Sequence, residues 1–380
     1  MDKFKGSKKI KVLTIFGTRP EAIKMAPLIK ELQKHSEKFD LEICLTGQHR
    51  QMLDQINMFF DIKGNYDINL MSPNQTLFDI TARCLMGLKD VLEKTNPDLI
   101  FVQGDTTSVM AGALAGFYKQ ISVAHLEAGL RSGNKYAPYP EEINRIIAGH
   151  IADYHFAPTN KAVENLKYEG ITDNVYMVGN TVIDALYLGL DIIEKQGDRK
   201  YKQFFSFLNF SHKIILITGH RRENFGDGFE NICKAIVCIA EEYKEVQFVY
   251  PMHFNPNVRE SVKRILKDIK NIFLLEPLDY PYLIWLMGKS YFVLTDSGGI
   301  QEEAPALGKP VLVMRDVTER HEGVEAGTAK LVGTQLESLI FSMKALLDND
   351  TVYFGMANAI NPYGDGNASK LIVDILMSLF

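Results

Sequence analysis

Short apolar runs alternate along this chain with longer segments in which apolar residues recur at helical spacing. This alternation of strand and helix patterns predicts βαβ units and parallel sheets. Predicted strands lie at 9–16, 41–45, 99–103, 121–126, 154–157 and 175–178, and then from 213 and at 246–251, 272–275, 291–294 and 311–314. Predicted helices lie at 20–34, 49–60, 75–94, 106–119, 180–195, 228–243, 258–267, 300–307 and 370–380.

The predicted elements form two successive series, one before and one after about residue 200. A chain of 380 residues is longer than one ordinary domain. We therefore expect an α/β protein with two Rossmann-like domains facing a cleft. In such sheets ligands bind at the carboxyl ends of the strands.

Composition and charge argue against nucleic-acid and membrane partners. The 42 Lys and Arg residues against 47 Asp and Glu give a net charge of −5, without the basic excess typical of nucleic-acid binding. No apolar stretch reaches the length of a membrane span, and the first apolar run, 12–16, is shorter than a signal sequence. The four cysteines form no CxxC pair, which favours free thiols in a reducing compartment. We expect a cytoplasmic protein with neither a nucleic-acid nor a membrane partner.

Carboxylates follow predicted strands in the stretch 104–145. Asp105 comes directly after one apolar strand, Glu127 after the next, and Glu141 and Glu142 begin a helix after a Gly- and Pro-containing loop. We expect Asp105, Glu127 and Glu141 to be acid and base groups at one edge of a sheet. An alternative remains open, in which Asp105 is a helix N-cap and Glu141 a first-turn partner of the helix dipole.

Two glycine-containing turns between a strand and a helix are typical of anion sites. In the first, Arg19 and Lys24 follow Gly17 at the start of a helix; in the second, Ser297, Gly298 and Gly299 precede another helix, with Glu303 one turn in. A helix N-terminus can hold a pyrophosphate, and a glutamate there can accept hydrogen bonds from ribose. Either turn alone could be structural, but together they favour a nucleotide ligand.

His220 also follows a strand and could contact a phosphate or a leaving group, although a structural role remains open. The same position after a strand supports at least one of Arg221 and Arg222 as a ligand, although arginines of this kind are more often surface charges. Patterns typical of metal sites are absent, and Gly226-Asp227-Gly228 lacks the third glycine of a dinucleotide fingerprint. We therefore expect neither a metal ion nor a nicotinamide cofactor.

Several stretches together resemble the non-hydrolysing UDP-N-acetylglucosamine 2-epimerases of bacteria, from about Lys9 to the C-terminus. Among them are GTRPEAIKMAPLI, QGDTTSVMAGALAGFY, HLEAGLRSG, TGHRREN, TDSGGIQEEAPALGKPVLVMRDVTER and NPYGDGNAS. The resemblance implies a fold like that of the GT-B glycosyltransferases, with the last helix crossing back to the N-terminal domain. We expect an N-terminal domain at 1–185, with 367–380 packing on it, and a UDP-binding domain at 186–366.

The resemblance also assigns roles to matching positions. It implies that Asp105, Glu127, Glu141 and His220 are catalytic and that Arg19, Lys24, Ser297, Gly298, Gly299, Glu303 and Arg320 bind substrate. A second, regulatory UDP-N-acetylglucosamine site is implied at Gln48, Gln51, Glu142, Arg221 and His253. The sequence departs from some relatives at Leu278 and Leu283, near the expected uracil, and at His321 after the TER motif.

The implied reaction is the reversible conversion of UDP-N-acetylglucosamine (UDP-GlcNAc) to UDP-N-acetylmannosamine (UDP-ManNAc). It would proceed by elimination of UDP and its re-addition to a 2-acetamidoglucal, and would serve cell-envelope polysaccharide synthesis. The resemblance further implies a homodimer that a second UDP-GlcNAc activates allosterically. Other enzymatic readings stay open: an epimerase for a modified UDP-sugar, a hydrolysing 2-epimerase, or a GT-B glycosyltransferase. The non-enzymatic alternative is a nucleotide-sugar-binding regulator.

Overall fold

The computed structural model describes residues 9–47, 50–72, 75–219, 221 and 224–380, without the side chains of residues 50, 51 and 257. The chain divides into two compact units. Unit 1 comprises the chain up to Ala185 together with Tyr363–Phe380, and unit 2 comprises Leu186–Pro362. Each unit contains its own parallel sheet with helices, so the predicted α/β class with two Rossmann-like domains is confirmed.

The sheet of unit 1 has seven strands in the order β3-β2-β1-β4-β5-β6-β7. Adjacent strands run parallel, and Val12 of the first strand aligns with Leu41 and Leu99 on either side. Buried aliphatic residues dominate its central strands, as expected for a sheet covered on both faces. The strands are β1 (Ile10–Phe16), β2 (Phe39–Leu45), β3 (Tyr66–Asp67), β4 (Leu99–Gln103), β5 (Ser122–Leu126), β6 (Tyr154–Ala157) and β7 (Val175–Met177).

The helices between these strands bury one apolar face each. In α4, a run of small residues lets the helix lie close to the sheet: a Cβ on Gly112 would come 3.0 Å from the Val102 side chain. These helices are α1 (Arg19–Lys34), α2 (Arg50–Phe59), α3 (Leu77–Thr95), α4 (Thr107–Tyr118), α5 (Glu141–Ile151) and α6 (Asn160–Tyr168). Helix α7 (Thr181–Gln196) follows β7 and continues into unit 2 after Ala185.

The sheet of unit 2 has six parallel strands in the order β10-β9-β8-β11-β12-β13. Its strands are β8 (Ile214–Thr218), β9 (Gln247–Pro251), β10 (Ile272–Leu275), β11 (Phe292–Thr295), β12 (Val311–Val313) and β13 (Ala329–Leu331). Its helices are α8 (Arg199–Phe204), α9 (Asp227–Glu242), α10 (Pro256–Leu266), α11 (Tyr280–Lys289), α12 (Gly298–Ala306), α13 (His321–Glu325), α14 (Leu336–Asp348) and α15 (Asp350–Ala357).

The last helix, α16 (Ala368–Leu379), belongs to unit 1 and packs against α1. The buried carboxylate of Asp184 accepts hydrogen bonds from the backbone N–H groups of Ala368 (3.3 Å) and Ser369 (2.7 Å) at the start of this helix. Burial raises the pKa of Asp184, and these hydrogen bonds oppose the rise. The C-terminal helix therefore returns to the N-terminal unit, as predicted.

Both sheets reverse their strand order at one point, between β1 and β4 in unit 1 and between β8 and β11 in unit 2. Parallel sheets bind ligands in the crevice outside the strand ends at such a switch point. The predicted catalytic residues and most of the predicted substrate-binding residues follow β1, β4 and β5 in the first unit and β8 and β11 in the second, and Arg320 follows β12. Within the described part of the chain, every helix is too short or too polar to span a membrane.

Candidate active site

The turn after β1 is organised by a buried carboxylate. Glu21 accepts hydrogen bonds from the backbone N–H groups of Gly17 (3.0 Å) and Thr18 (2.7 Å) and from the Thr106 hydroxyl (2.7 Å). Burial raises the pKa of Glu21, and these hydrogen bonds counteract the rise. With Thr18 it forms a capping box, so the protein itself caps the N-terminus of α1. An anion near Arg19 must therefore be bound mainly by side chains.

Glu127 lies at the end of β5 in a left-handed backbone conformation, with φ of 61°. Its two carboxylate oxygens each lie 2.6 Å from Lys24 Nζ. Gln103 donates to one of them at 2.6 Å and Asn180 to the other at 3.0 Å. Only 7% of the Glu127 side chain is exposed. Lys24 therefore neutralises this buried carboxylate, and two side-chain amides fix its orientation.

Asp105 follows β4 and is held by two consecutive residues of α5. Arg145 contacts its carboxylate and also donates to Glu142 at 3.3 Å, while the Asn144 amide donates to the backbone carbonyl of Asp105 at 2.9 Å. Glu142 also accepts the backbone N–H groups of 132–133 at 3.0–3.1 Å. Helix α5 thus attaches both the preceding loop and Asp105 to the same edge of the sheet.

Glu141, the first residue of α5, differs from the other two carboxylates. Its Oε2 is buried and has no hydrogen-bond partner among the described residues. A carboxylate oxygen that is withdrawn from water without a donor has capacity to take up a proton. The three predicted acid and base groups therefore lie on one edge of unit 1 in three environments. Lys24 lies beside Glu127, Arg145 lies beside Asp105, and no described residue donates to the buried Oε2 of Glu141.

Two buried histidines support this edge from neighbouring strands. His125 of β5 and His155 of β6 are paired in the strand register. Their Nε2 atoms lie 2.7 Å from the Gly104 carbonyl and 2.8 Å from the Gly149 carbonyl. Burial lowers the pKa of His125 to about 4 and also lowers the pKa of His155. Neutral histidines thus tie the segments that carry Asp105 and Glu141 to the sheet.

Four residues that contact this edge were not predicted from the sequence: His125, Gln103, Asn180 and Arg145. His125 and Gln103 could have been found, because each is a polar residue near the carboxyl end of an otherwise apolar strand. Asn180 and Arg145 gave no such signal. Each contacts a carboxylate at least 40 positions away in sequence, through tertiary structure alone.

In unit 2, α12 begins directly after the Asp296-Ser297 turn. Ser297 occupies the N-cap position without a side-chain hydrogen bond to the helix. At Gly298 an added Cβ would lie 3.0 Å from the Glu319 carboxylate and 3.6 Å from the Arg320 guanidinium. Charged side chains therefore approach this helix N-terminus closely because Gly298 has no side chain of its own.

Three arginines surround the Glu319 carboxylate. Arg315 donates to it at 2.7 Å, Arg221 at 3.2 Å, and Arg320 lies 3.7 Å away. Burial raises the pKa of Glu319, but the three guanidinium groups outweigh this effect and lower it to about 2. Arg320 also donates to the buried carboxylate of Glu302 at 2.5 Å. The cluster thus brings three guanidinium groups and two carboxylates together at the start of α12.

Glu303, one turn into α12, accepts a hydrogen bond from the Tyr280 hydroxyl at 3.0 Å. Its second oxygen lies near Gly299, at 3.9 Å from the position that a Cβ would take. The predicted substrate-binding residues of this unit, Ser297 to Gly299, Glu303 and Arg320, therefore cluster around one helix N-terminus. Leu278, which is buried, and Leu283 lie on the segment that leads into α11 and on α11 itself.

The remaining predicted residues are placed less completely. His220 and Gln48 lie outside the described residues, as does the side chain of Gln51 in α2. His253 Nδ1 accepts the backbone N–H of Asn255 at 3.1 Å. Arg221, predicted for the regulatory site, shares Glu319 with Arg320 of the predicted substrate site. No group of three metal-ligating side chains occurs in the part of the chain that the structure describes.

Similarity to known proteins agrees with this geometry. The family model described as UDP-N-acetylglucosamine 2-epimerase matches residues 30–377. A UDP-N-acetylglucosamine 2-epimerase of Yersinia pestis is 53% identical over 97% of this chain and 98% of its own. The crystal structure of the Neisseria meningitidis UDP-GlcNAc 2-epimerase bound to UDP-GlcNAc matches with a TM-score of 0.90 at 50% identity, covering 97% of this chain and 100% of that chain.

A more distant likeness concerns the fold alone. The sucrose-phosphate synthase of Thermosynechococcus elongatus matches with a TM-score of 0.65 at 13% identity, over 98% of this chain and 99% of that chain. The α/β fold with two parallel sheets is thus GT-B-like. The family model matches most of the chain, and relatives of about 50% identity match nearly all of it. The chain therefore belongs to the UDP-N-acetylglucosamine 2-epimerase family.

Proposed function

We propose that this protein is a non-hydrolysing isomerase that interconverts UDP-GlcNAc and UDP-ManNAc at C2. The observation that carries the proposal is the division of chemistry between two sheet edges. Asp105, Glu127 and Glu141 supply proton-transfer groups in unit 1, and arginines gather at an uncapped helix N-terminus in unit 2. The relative from Neisseria meningitidis is described as bound to UDP-GlcNAc, which supports the same ligand here.

The chemistry of C2 favours elimination. The hydrogen on C2 is not acidic because no carbonyl group adjoins that carbon. In an elimination, a base takes the C2 proton, the C–H electron pair forms the C1=C2 bond, and UDP leaves C1 with the C–O pair. Re-addition of UDP and protonation at C2 from the opposite face complete the inversion. The scheme requires acid or base groups on both faces, which several carboxylates can provide.

We assign Asp105, Glu127 and Glu141 to this proton transfer, together with His220 at the diphosphate. The buried Oε2 of Glu141 has no hydrogen-bond partner among the residues that the structure describes, so we assign Glu141 a direct part in this transfer. Glu127 is held by Lys24 and two amides, and a change of its protonation would alter the charge balance with Lys24. Arg19 and Lys24 supply positive charge in this unit.

We place the nucleotide at the start of α12. The uncapped N-terminus and the backbone at Gly298 and Gly299 would hold the diphosphate, with help from Arg320. Glu303 would accept hydrogen bonds from the ribose hydroxyls. Negative charge that develops on the departing UDP would be stabilised there by groups already in position.

NMR of UDP-GlcNAc incubated with the protein in D₂O tests the reaction. UDP-ManNAc with deuterium at C2 is expected, because the proton exchanges with solvent through a carboxylate. Free ManNAc with UDP would instead indicate a hydrolysing enzyme, and a product only in the presence of an acceptor would indicate a glycosyltransferase. An unchanged spectrum would contradict every enzymatic reading and would favour the nucleotide-sugar-binding regulator. Full retention of the original C2 hydrogen would rule out exchange through the proposed bases.

A modified UDP-sugar is the second candidate substrate, because the residues assigned above concern C2, the diphosphate and the ribose, and none is assigned to C3, C4 or C6 of the sugar. Competition between UDP-GlcNAc and its C3-, C4- or C6-modified analogues separates the two. UDP-GlcNAc should show the highest kcat/KM. A modified sugar that exceeds it about tenfold, or by about 1.4 kcal/mol in transition-state stabilisation, would replace it as the proposed substrate.

We also propose that a second UDP-GlcNAc activates the enzyme through Gln48, Gln51, Glu142, Arg221 and His253. UDP-ManNAc alone should then react slowly until UDP-GlcNAc accumulates or is added. Progress curves for the reverse reaction should show this lag. Hyperbolic kinetics without a lag would remove the regulatory assignment.

We propose a homodimer, supported by exposed apolar side chains on two helices of unit 1 that pack together. Phe78 and Met86 of α3 are 88% and 64% exposed, and Phe117 of α4 is 61% exposed. Burial in an interface would remove these surfaces from water. Light scattering should give twice the mass of the chain for the native protein and one mass for the Phe117→Glu variant.

We infer a cytoplasmic location and a role in envelope polysaccharide synthesis. The four cysteines are free thiols, which suits a reducing compartment, and the proposed product is an activated amino sugar of the kind that glycosyltransferases consume. Cell fractionation tests the location. Loss of ManNAc from surface polysaccharide after gene disruption tests the role.

A further inference from the structure

Glu319 lies at the start of α12, a position that the amino-acid sequence did not predict. Its carboxylate lies against Gly298 at the start of α12, where the Ser297 side chain makes no capping hydrogen bond. It contacts or approaches Arg221, Arg315 and Arg320. An intramolecular carboxylate therefore lies beside Gly298 and Arg320, which the proposed function gives to the diphosphate.

Two neighbouring carboxylates, Asp296 and Glu302, contact the same arginines but are buried. Asp296 accepts the backbone N–H of Arg221 at 2.8 Å, and Glu302 pairs with Arg320 while only 2% of its side chain is exposed. The Glu319 side chain is 27% exposed. Of these three acidic side chains, Glu319 alone combines contact with several arginines and access to solvent. It can leave the cluster without first being extracted from the core.

We infer that Glu319 is an internal substitute for the substrate's diphosphate, holding the arginines in place in the empty enzyme and yielding them to the incoming nucleotide. The inference rests on the proposed nucleotide site. Three guanidinium groups close together at a helix N-terminus repel one another, and Glu319 offsets part of that repulsion beside Glu302, which pairs with Arg320. A bound diphosphate carries more negative charge than one carboxylate, so it should displace Glu319.

This role predicts opposite effects on the empty and the liganded protein. Glu319→Gln keeps the size of the side chain and removes its charge. The empty variant should unfold at lower urea concentration, because the arginines lose one of the carboxylates that pair with them. UDP should bind it at least about threefold more tightly, because the nucleotide no longer competes with an ion pair.

Calorimetric titration with UDP, with urea unfolding in parallel, tests the inference. Glu325→Gln is the matched control, because it removes an exposed charge from α13 and should leave both measurements unchanged. Unchanged or weaker UDP binding by Glu319→Gln would overturn the inference. Absence of UDP binding by the wild-type protein would instead overturn the proposed function.

A second variant covers the case in which Glu319→Gln does not fold. Glu319→Asp keeps the charge but withdraws the carboxylate by one methylene from Gly298. It should also bind UDP more tightly than wild type while the empty protein is less stable. A shorter acid that weakens UDP binding would show that Glu319 organises the site for the nucleotide instead of substituting for it.

Discussion

The two sheet edges share a topology and differ in chemistry. Each parallel sheet reverses its strand order beside its first strand, and each switch point is followed by polar residues. In unit 1 the helices after β1 and β4 are capped by their own side chains, Thr18 with Glu21 and Thr106. In unit 2 the helix after β11 has no side-chain cap, and arginines gather there.

The difference indicates how one fold can supply two functions. Where side chains cap a helix, they accept hydrogen bonds from its free N-terminal N–H groups, so these groups are not available to an anion. The loops at such an edge can then hold carboxylates in fixed environments. Where a helix N-terminus is left without a cap, its dipole is available to an anion. We therefore assign proton transfer to the edge of unit 1 and anion binding to the edge of unit 2. Each assignment can be tested without altering the other edge.

The largest expected effect is on proton transfer. Glu141→Gln removes the carboxylate whose Oε2 has no partner among the described residues, so turnover should fall by roughly 10²–10⁴, as is usual for loss of an acid or base. UDP affinity should remain, because the nucleotide site belongs to the other unit. Asp105→Asn and Glu127→Gln should behave alike.

Steady-state kinetics with UDP titration in parallel provide the measurement. Glu164→Gln, an exposed carboxylate of α6, is the control and should leave turnover unchanged. A parallel loss of UDP affinity in Glu141→Gln would break the comparison, since it would place the carboxylate in binding instead of chemistry.

The strands were the most predictable part of the fold. Strands β4, β6 and β10 begin and end at the predicted residues, because buried parallel strands are short apolar runs bounded by turns. The two-residue β3 and the edge strand β13 were not predicted, since edge strands carry weaker apolar patterns. Helix α14 was also overlooked, although Leu339, Met343 and Leu346 recur at helical spacing.

The position of the candidate site could be predicted from the sequence, but the residues that pair with its carboxylates could not. Residues that follow strands in sequence must lie at the carboxyl edge, which placed Asp105 and Glu127 correctly. The partners of these carboxylates could not be predicted, because Arg145 and Asn180 reach them only after α5 and α7 have packed. The capping of α1 by Glu21 was readable as a Thr-x-x-Glu pattern and was overlooked.

A smaller effect concerns the stability of the unit 1 edge. Burial lowers the pKa of His125 to about 4, below its unfolded value of about 6.5. The neutral histidine therefore contributes stability that is fully present above about pH 6.5 and is lost as the pH falls toward 4. The loss should amount to about 3 kcal/mol.

Urea unfolding between pH 7 and 4 checks this value. His125→Gln can still donate to the Gly104 carbonyl but does not titrate, so its stability should fall less with decreasing pH than that of the wild type. His150→Gln, at an exposed position in α5, should follow the wild-type curve. Coinciding curves for His125→Gln and wild type would show that this histidine does not link acid stability to the unit 1 edge.

The smallest expected effect is at the start of α12, where a single methyl group tests anion binding alone. In Gly298→Ala the new Cβ would lie 3.0 Å from Glu319 and 3.6 Å from Arg320. The methyl group would occupy space that the diphosphate needs and would push the Arg320 guanidinium away from the helix N-terminus, and this loss should outweigh the withdrawal of the competing Glu319. UDP should bind about tenfold more weakly, or by about 1.4 kcal/mol, and KM should rise by a similar factor. Turnover at saturating substrate should stay near wild type, because the carboxylates of unit 1 are unchanged. Gly288→Ala is the matched control, since a Cβ there would meet open space within another helix of the same unit, and alanine favours the helix. If Gly298→Ala lowered turnover and left KM unchanged, the edge of unit 2 would take part in the chemical step, and the division between the two edges would not hold.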